Sequence, residues 1–177
     1  DYFEIEHAET AASLGIEFVT GGAERTDSVR AALARIDAAD CSHIAVHDAA
    51  RPLVGAADLA AVFAAVKTHD AVILAAPVTS TLRRVTESGT ETVPRQGVYQ
   101  VQTPQVFRTG VLKTAYDQHN GEPATDDAQL VERIGVPIHI VPGRVDNLKI
   151  THLEDLELAE AILLARRHAD GTKQSDR

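Results

Sequence analysis

An unbroken apolar run at residues 71–78 constrains the fold more than any other feature of the sequence. A short run without polar members is typical of a strand that is covered on both faces. The run is far too short to cross a bilayer, which takes about 20 apolar residues in a helix, so we expect no membrane partner. Because predicted strands and helices alternate along the chain, we expect an α/β fold with a mostly parallel, Rossmann-like sheet.

Periodicity and turn signals predict the other elements. We expect one domain over residues 1–170 and a polar, disordered tail over residues 171–177. The further predicted strands are residues 16–19, 43–46, 137–141 and 148–150. The predicted helices are residues 3–14, a helix capped by Asp27 or Ser28, residues 57–68, 110–119 and 126–134, and a last helix from Thr151.

Charge and cysteine content narrow the classes of partner. The net charge of −9 repels phosphate backbones at long range, so we expect no nucleic-acid partner. A few convergent Arg and Lys side chains could still bind a phosphorylated small molecule. Cys41 is the only cysteine, which excludes an intrachain disulfide and fits a cytoplasmic location.

Residues 79–95 mix apolar and polar side chains, and Ser88-Gly89 lies at the middle. This pattern predicts a β-hairpin arm that protrudes from the sheet. Because a two-stranded hairpin with few apolar residues is not stable alone, we expect the arm to contact a second subunit and to form a homodimer.

Unusual polar residues follow the predicted strands at residues 21–28, 47–52 and 146–151. Ligands of open α/β sheets bind beyond the carboxyl ends of the strands. In the first of these segments, Gly21 and Gly22 allow a flat ligand to approach the backbone closely, and Ser28 could hydrogen-bond to it. The same residues also fit a simple strand-to-helix turn with a cap.

The second segment, His47-Asp48-Ala49-Ala50-Arg51, also has two interpretations. An Asp at a strand end is a natural oxygen ligand for Mg²⁺ or another divalent cation, and Arg51 could bind a phosphate. Alternatively, Asp48 and Arg51 form an ion pair that shapes the loop.

Two further sites are less specific. Thr103-Pro104-Gln105 predicts an extended turn that carries a hydroxyl group. Lys149 lies between apolar neighbours in a predicted strand, where a lysine needs an anionic partner. A phosphate or Asp48 could be that partner. Strand alternation places Lys149 on the face opposite Leu148 and Ile150.

The order and spacing of these segments resemble the 2-C-methyl-D-erythritol 4-phosphate cytidylyltransferase family over about residues 16–165. The motifs that carry the resemblance are Gly-Gly-x-x-Arg-x-x-Ser-Val, His-Asp-Ala-Ala-Arg-Pro, Gln-Thr-Pro-Gln-x-Phe, Thr-Asp-Asp and Asn-x-Lys-Ile-Thr-x-x-x-Asp-Leu. The resemblance implies a nucleotidyltransferase sheet and transfer of CMP from CTP to a polyol phosphate with release of pyrophosphate.

The resemblance also implies roles for individual residues. Nucleotide contacts are expected from Gly21, Gly22, Arg25, Ser28 and Ala49. Asp48 is expected beside the metal ion and the substrate hydroxyls, and Arg95 and Lys149 are expected to position the attacking phosphate. Thr81, Arg51, Thr103 and Thr125 would complete the substrate pocket. Thr81 and Arg95 would act on the site of the partner subunit, because the arm crosses between subunits in this family.

Two departures from the family pattern leave alternatives open. Family members begin with a glycine-rich loop of the form Ala-Ala-Gly-x-Gly-x-Arg, which has no match here, so we expect these 177 residues alone not to turn over CTP. Ser80 stands where the family usually has Asp, and it receives no role. The alternatives are a ribitol 5-phosphate cytidylyltransferase and a non-catalytic, dimerising fragment.

Overall fold

The computed structural model describes residues 6–175, and the side chains of residues 6–168. In chain order the elements are α1 (Ala8–Ser13), α2 (Arg25–Leu33), β1 (His43–Val46), α3 (Ala56–Ala65), β2 (Ala71–Pro77), β3 (Leu82–Thr86), β4 (Gly89–Val93), β5 (Tyr99–Arg108), α4 (Thr109–Asp117), α5 (Asp127–Arg133), β6 (His139–Pro142) and α6 (Leu153–Ser175). Helices and strands are interspersed along the chain, as an α/β fold requires, although β2 to β5 follow one another without a helix.

The central sheet has the strand order β1-β5-β2-β6. Strands β1, β2 and β6 run in one direction, but β5 is antiparallel to both of its neighbours, so only the β2–β6 pair is parallel. The prediction of a mostly parallel sheet is therefore confirmed only in part. Strand β5 returns along β2 after the arm without an intervening helix, and such a connection gives an antiparallel pair.

Apolar side chains cover the sheet on both faces. Phe107, Leu112 and Leu130 belong to a cluster that β5, α4 and α5 form on one face. Val62 of α3 and Val66, the C-cap of that helix, pack on the other face against Leu74 and neighbouring strand residues. Every residue from Ala71 to Ala76 is buried, which confirms that the apolar run is a strand covered on both sides.

Strand β5 contains an irregularity that the sequence did not predict. Ile73 of β2 pairs with Gln105, and the next paired residue, Ala75, lies opposite Val101. Three residues of β5 thus face one residue of β2, and the peptide bond between Thr103 and Pro104 is cis. Thr103-Pro104-Gln105 is therefore a bulged part of a strand and not a turn after one, because Pro104 has no N–H to donate to the ladder.

Two predicted strands are absent from the sheets of the described residues. Residues 16–19 and 148–150 belong to neither the four-stranded nor the two-stranded sheet. At 148–150 the backbone bond from Ile150 N to Ala50 O, at 2.8 Å, joins two loops and does not form a ladder. A β-pattern does not create a strand unless a neighbouring strand supplies its hydrogen bonds.

The helix boundaries also differ from the prediction. Helix α2 begins at Arg25 and uses Glu24 as its N-cap position, so Asp27 and Ser28 lie inside the helix. Helix α6 continues to Ser175, whereas the sequence predicted disorder from residue 171. No proline stops this helix, and each added helical residue adds a backbone bond.

Residues 1–5 and 176–177, which the predictions also covered, lie outside the described residues. No helix in the described part of the chain is long and apolar enough to span a membrane.

The arm is the two-stranded sheet of β3 and β4, which is separate from the central sheet. Its side chains are exposed except for Leu82 and Val93 at its base, which are half-buried. Val85 near the tip is 80% exposed. The hairpin predicted over residues 79–95 is thus confirmed.

Candidate active site at the carboxyl edge of the sheet

A pocket of about 260 Å³ lies where the chain leaves β1 and β6, beside the bulge of β5. The carboxyl ends of parallel strands meet at this edge, where ligands bind in open α/β sheets. Three of the predicted polar segments and the start of α5 converge here. The pocket is lined by Arg25, Asp48, Arg51, Val101, Gln102, Thr103, Gln105, Thr125, Asp126 and Lys149.

One carboxylate in the pocket is shared by two cations. Asp48 Oδ2 lies 3.2 Å from Lys149 Nζ and 3.5 Å from Arg51 Nε. The carboxylate is 19% exposed, whereas the Lys149 side chain is 49% exposed and open to the pocket. Because two positive groups face a single negative one, this corner carries an excess of positive charge. The arrangement suits the binding of a phosphate.

Thr103 fixes the loop that carries Asp48. Its hydroxyl oxygen accepts a hydrogen bond from Asp48 N at 3.0 Å and lies 2.9 Å from His47 Nδ1. Because Arg51 O can only accept, at 3.1 Å from His47 Nε2, the neutral His47 ring donates from Nε2 and accepts the Thr103 hydroxyl proton at Nδ1. Both hydrogen-bonding directions of the Thr103 hydroxyl are thus occupied within the protein. Thr103 lies in the pocket as predicted, but there it supports Asp48.

Arg51 is held in place by backbone groups of two other segments. Its Nη1 donates to Asn147 O at 2.8 Å, and its Nη2 lies 3.5 Å from Val101 O. Only its Nε, which is buried, lacks a hydrogen bond among the described residues. The guanidinium is thereby fixed beside Asp48, so the ion-pair interpretation and a role in the pocket are compatible.

Arg25 enters the pocket from the first turn of α2. Its guanidinium makes a bidentate ion pair with Asp127, with Nη1–Oδ1 at 3.0 Å and Nη2–Oδ2 at 2.5 Å. Asp127 is fully buried and also accepts from the hydroxyl of Tyr116. The bond to Asp127 raises the pKa of Arg25, and burial together with the Asp127 charge raises the pKa of Tyr116. Arg25 is therefore a permanent cation with a fixed direction.

The start of α5 forms the opposite wall of the pocket. Asp126 is its N-cap, and the carboxylate accepts from Gln129 N and from Gln105 Nε2, both at 2.9 Å. Thr125 precedes the cap and is exposed to the pocket. Its N–H donates to Gln129 Oε1 at 2.9 Å, and its hydroxyl lies 3.4 Å from the same atom. Thr125 thus lines the pocket, and its substrate-binding role stays a prediction.

The glycine segment lies outside the lining of this pocket. A Cβ on Gly21 would meet Ser28 Oγ at 2.6 Å, and one on Gly22 would meet Asp27 Cβ at 2.2 Å. Ser28 Oγ accepts from Gly22 N at 3.2 Å. These contacts fold residues 21 and 22 against the start of α2, as the turn interpretation expects. Ala49 is exposed in the loop after β1 and does not line the pocket either.

The two arm residues predicted for the site lie away from it within this subunit. Thr81 and Arg95 flank the hairpin, are exposed, and are not part of the pocket lining. Arg95 Nη1 donates to Thr79 O across the base of the arm. The structure thus gathers Arg25, Asp48, Arg51, Thr103, Thr125 and Lys149, and it leaves Thr81, Arg95, Gly21, Gly22, Ser28 and Ala49 outside the pocket.

Sequence reasoning gave no role to several residues that organise the pocket. His47, Gln102, Gln105 and Asn147 bind the loops to one another, and the last three are buried. Their signal was present in the sequence, because each lies beside a residue that was singled out. A polar residue next to a predicted strand end becomes informative once its burial is known.

The chain was compared with known proteins. A sequence model of the family described as "IspD: 2-C-methyl-D-erythritol 4-phosphate cytidylyltransferase" matches residues 3–165. The chain is 47% identical over 171 residues to the 2-C-methyl-D-erythritol 4-phosphate cytidylyltransferase of Rhodopirellula baltica, covering 91% of this chain and 70% of that protein. It is 45% identical over 161 residues to the protein of the same name from Frankia casuarinae, covering 89% of this chain and 60% of that protein.

A solved structure shares the fold. The crystal structure of 2-C-methyl-D-erythritol 4-phosphate cytidylyltransferase from Thermus thermophilus superposes with a TM-score of 0.76 at 39% identity. The superposition covers 84% of this chain and 73% of that chain. This chain therefore matches only part of that structure, as it matches only part of each of the two sequence relatives.

Proposed function

The chain belongs to the 2-C-methyl-D-erythritol 4-phosphate cytidylyltransferase family, and from this premise we propose that it transfers CMP from CTP to 2-C-methyl-D-erythritol 4-phosphate, with release of pyrophosphate, in isoprenoid precursor synthesis. The observation that carries the proposal is the corner where Asp48 is shared by Lys149 and Arg51. A polyol phosphate offers the two chemical groups that this corner can bind, a phosphate for the cations and hydroxyls for the carboxylate.

The reaction needs no covalent intermediate with the protein. A phosphate oxygen of the acceptor attacks the α-phosphorus of CTP, and the bond to pyrophosphate breaks. The contribution of the protein is to position the two reactants and to balance the negative charge on the phosphate oxygens. Lys149 and Arg51 hold the acceptor phosphate, and Arg25 adds a further fixed positive charge at the pocket wall.

A divalent cation such as Mg²⁺ would be held by Asp48. Mg²⁺ in proteins is commonly bound through one or two carboxylates, with water and substrate phosphates as its other ligands. Asp48 supplies one partly exposed carboxylate, and the described residues contain no group of three His, Cys, Asp or Glu that could hold a metal ion. The donor set therefore fits a cation shared with the substrate. Such a cation, when bound, offsets phosphate charge.

The arm supports a homodimeric site. The hairpin is exposed beyond the half-buried Leu82 and Val93 at its base, and a two-stranded hairpin is at best marginally stable in water. Two-fold dimers with an isologous interface are the commonest protein oligomers, and such an interface would cover the arm. We place Thr81 and Arg95 in the pocket of the partner subunit, where Arg95 meets the acceptor phosphate. The glycine segment and Ala49 would lie on the nucleotide side.

We propose a cytoplasmic setting on the basis of composition. With a net charge of −9 and one cysteine, the protein suits the reducing cytoplasm, with CTP and a polyol phosphate rather than nucleic acid as its partners.

Pyrophosphate release tests the proposed reaction. We expect the full-length protein to release pyrophosphate only when CTP, a divalent cation and 2-C-methyl-D-erythritol 4-phosphate are all present. Ribitol 5-phosphate is the matched control acceptor, since it offers a phosphate and hydroxyls on a different carbon chain. Faster release with ribitol 5-phosphate would reassign the acceptor, and release without any acceptor would contradict a transferase.

Removal of the arm tests the dimer. Replacing residues 80–94 by a short glycine-serine linker is expected to convert a dimer into a monomer in sedimentation velocity. Because the arm is separate from the central sheet, circular dichroism should show that the remaining fold is retained. The unaltered chain must sediment as a dimer, and a monomer at high concentration would refute the assembly.

A further inference from the structure

Asn147 is a polar residue with no exposed surface. It lies in the loop after β6, two residues before Lys149. Its side-chain amide donates to Gln102 Oε1 at 3.2 Å and to Thr103 O at 3.1 Å. Both acceptors belong to the bulge of β5, where pairing with β2 lapses. Asn147 thus supplies the donor that the Thr103 carbonyl lacks in the interrupted ladder.

The same residue joins the other side of the pocket through its backbone. Its carbonyl accepts from Arg51 Nη1 at 2.8 Å. Gln102 Nε2 donates to Arg144 O at 2.9 Å, so the Gln102 amide binds the loop at both residue 144 and residue 147. The buried amides of Asn147 and Gln102 therefore hold the loop against the bulge, and the Asn147 carbonyl holds Arg51 beside them.

Apart from the placement of its loop, few contacts fix the position of the Lys149 side chain. Its ammonium contacts Asp48 at 3.2 Å, and its side chain is half exposed. The backbone of the segment is fixed at Asn147 on one side and at Ile150 on the other, where Ile150 N donates to Ala50 O at 2.8 Å. The position of Lys149 is therefore set by the two anchored residues on either side of it, Asn147 and Ile150.

We infer that Asn147 is a positioning residue, which sets Lys149 and Arg51 for the acceptor phosphate without touching the substrate. This inference rests on the proposed function for its catalytic consequence, although the placement of the loop is independent of it. A purely structural Asn147 would affect stability alone.

Hydrogen exchange tests the placement without any substrate. In Asn147→Ala we expect the Ile150 amide to exchange about tenfold faster, because two buried hydrogen bonds that hold its loop are lost. The Arg108 amide is the matched reference, since it donates to Asp70 O at the same distance of 2.8 Å at the other end of β5. Equal acceleration at both amides, or none at Ile150, overturns the positioning role.

Turnover of the full-length protein tests the catalytic consequence. Asn147→Ala should lower kcat about tenfold or more and leave KM for CTP nearly unchanged, because a small misplacement of a positioned group is costly. In a Lys149→Ala background the same substitution should cause a clearly smaller loss, because only its effect through Arg51 remains. An equal loss in both backgrounds overturns the inference. If Asn147→Ala does not fold, Asn147→Ser, which can donate to one of the two acceptors, should give an intermediate loss in the same comparison.

Thr109→Val is the control for a loss of stability alone. Thr109 is also buried, and its hydroxyl donates to Cys41 O at 2.8 Å, far from the pocket. Its substitution should lower the melting temperature and leave turnover per folded molecule unchanged; a matching fall in turnover would overturn the inference. If the unaltered full-length protein shows no turnover at all, the proposed function fails, and exchange at Ile150 still decides whether Asn147 sets the loop.

Discussion

Replacing Lys149 with alanine is expected to lower turnover by about two to three powers of ten, the usual effect of removing one preorganised charge contact. The half-exposed ammonium beside Asp48 is the cation most open to the pocket, so its loss leaves the charge of the acceptor phosphate poorly balanced. The affinity for CTP should change little. Single-turnover rates with saturating CTP, measured in the full-length protein, give this result directly.

Lys149→Arg is the matched variant. It keeps the charge but replaces a compact ammonium by a planar fork, so we expect only partial recovery of turnover. If Lys149 served only as the ion-pair partner of Asp48, turnover per folded molecule would stay normal in Lys149→Ala. An ion pair this exposed contributes about 1 kcal/mol or less, so the melting temperature should scarcely move. A clearly destabilised protein with normal turnover per folded molecule would reject the catalytic role.

The fold was predictable where the residues of one segment are enough to indicate that the segment is buried. Residues 71–78 contain no polar side chain, and the described strand there is covered on both faces. Strand β5 was not predictable in the same way, because Gln102, Thr103 and Gln105 make it look like a polar loop. The partners that satisfy the two glutamines lie 21 to 45 residues away in the sequence. Local patterns carry no information on such contacts.

The sequence predicted which residues lie at the site better than it predicted what each of them does there. Lys149 points into the pocket as alternation predicts, with Leu148 and Ile150 half-buried, although these residues form no strand. Thr103 was predicted for the substrate, yet its hydroxyl is occupied by Asp48 N and His47. A motif identifies which residue types lie at a site. Their hydrogen bonds then determine which side chains have a group to offer a ligand.

Replacing Asp127 with alanine is expected to lower the free energy of unfolding by about 3 kcal/mol. Breaking a buried ion pair costs about 3–5 kcal/mol, and the lower end applies because the Arg25 side chain is 35% exposed and can turn toward water. The buried hydroxyl of Tyr116 also loses its acceptor. For a chain of 177 residues this corresponds to a melting temperature roughly 6–12 °C lower, which denaturant and thermal unfolding can both measure.

The exposed pair of Asp70 and Arg108 provides the control, with an N–O distance of 2.6 Å and both side chains about half exposed. Asp70→Ala should change stability by about 1 kcal/mol or less. Arg25→Ala should cost at least as much as Asp127→Ala, because among the described side chains it leaves the fully buried carboxylate with Tyr116 as its one partner. Adding Asp127→Asn to Arg25→Ala should then restore part of the loss, since it removes the unpaired charge. If the double variant is the less stable of the two, the buried carboxylate is not the source of the cost, and the ion pair does not hold Arg25 in the way described.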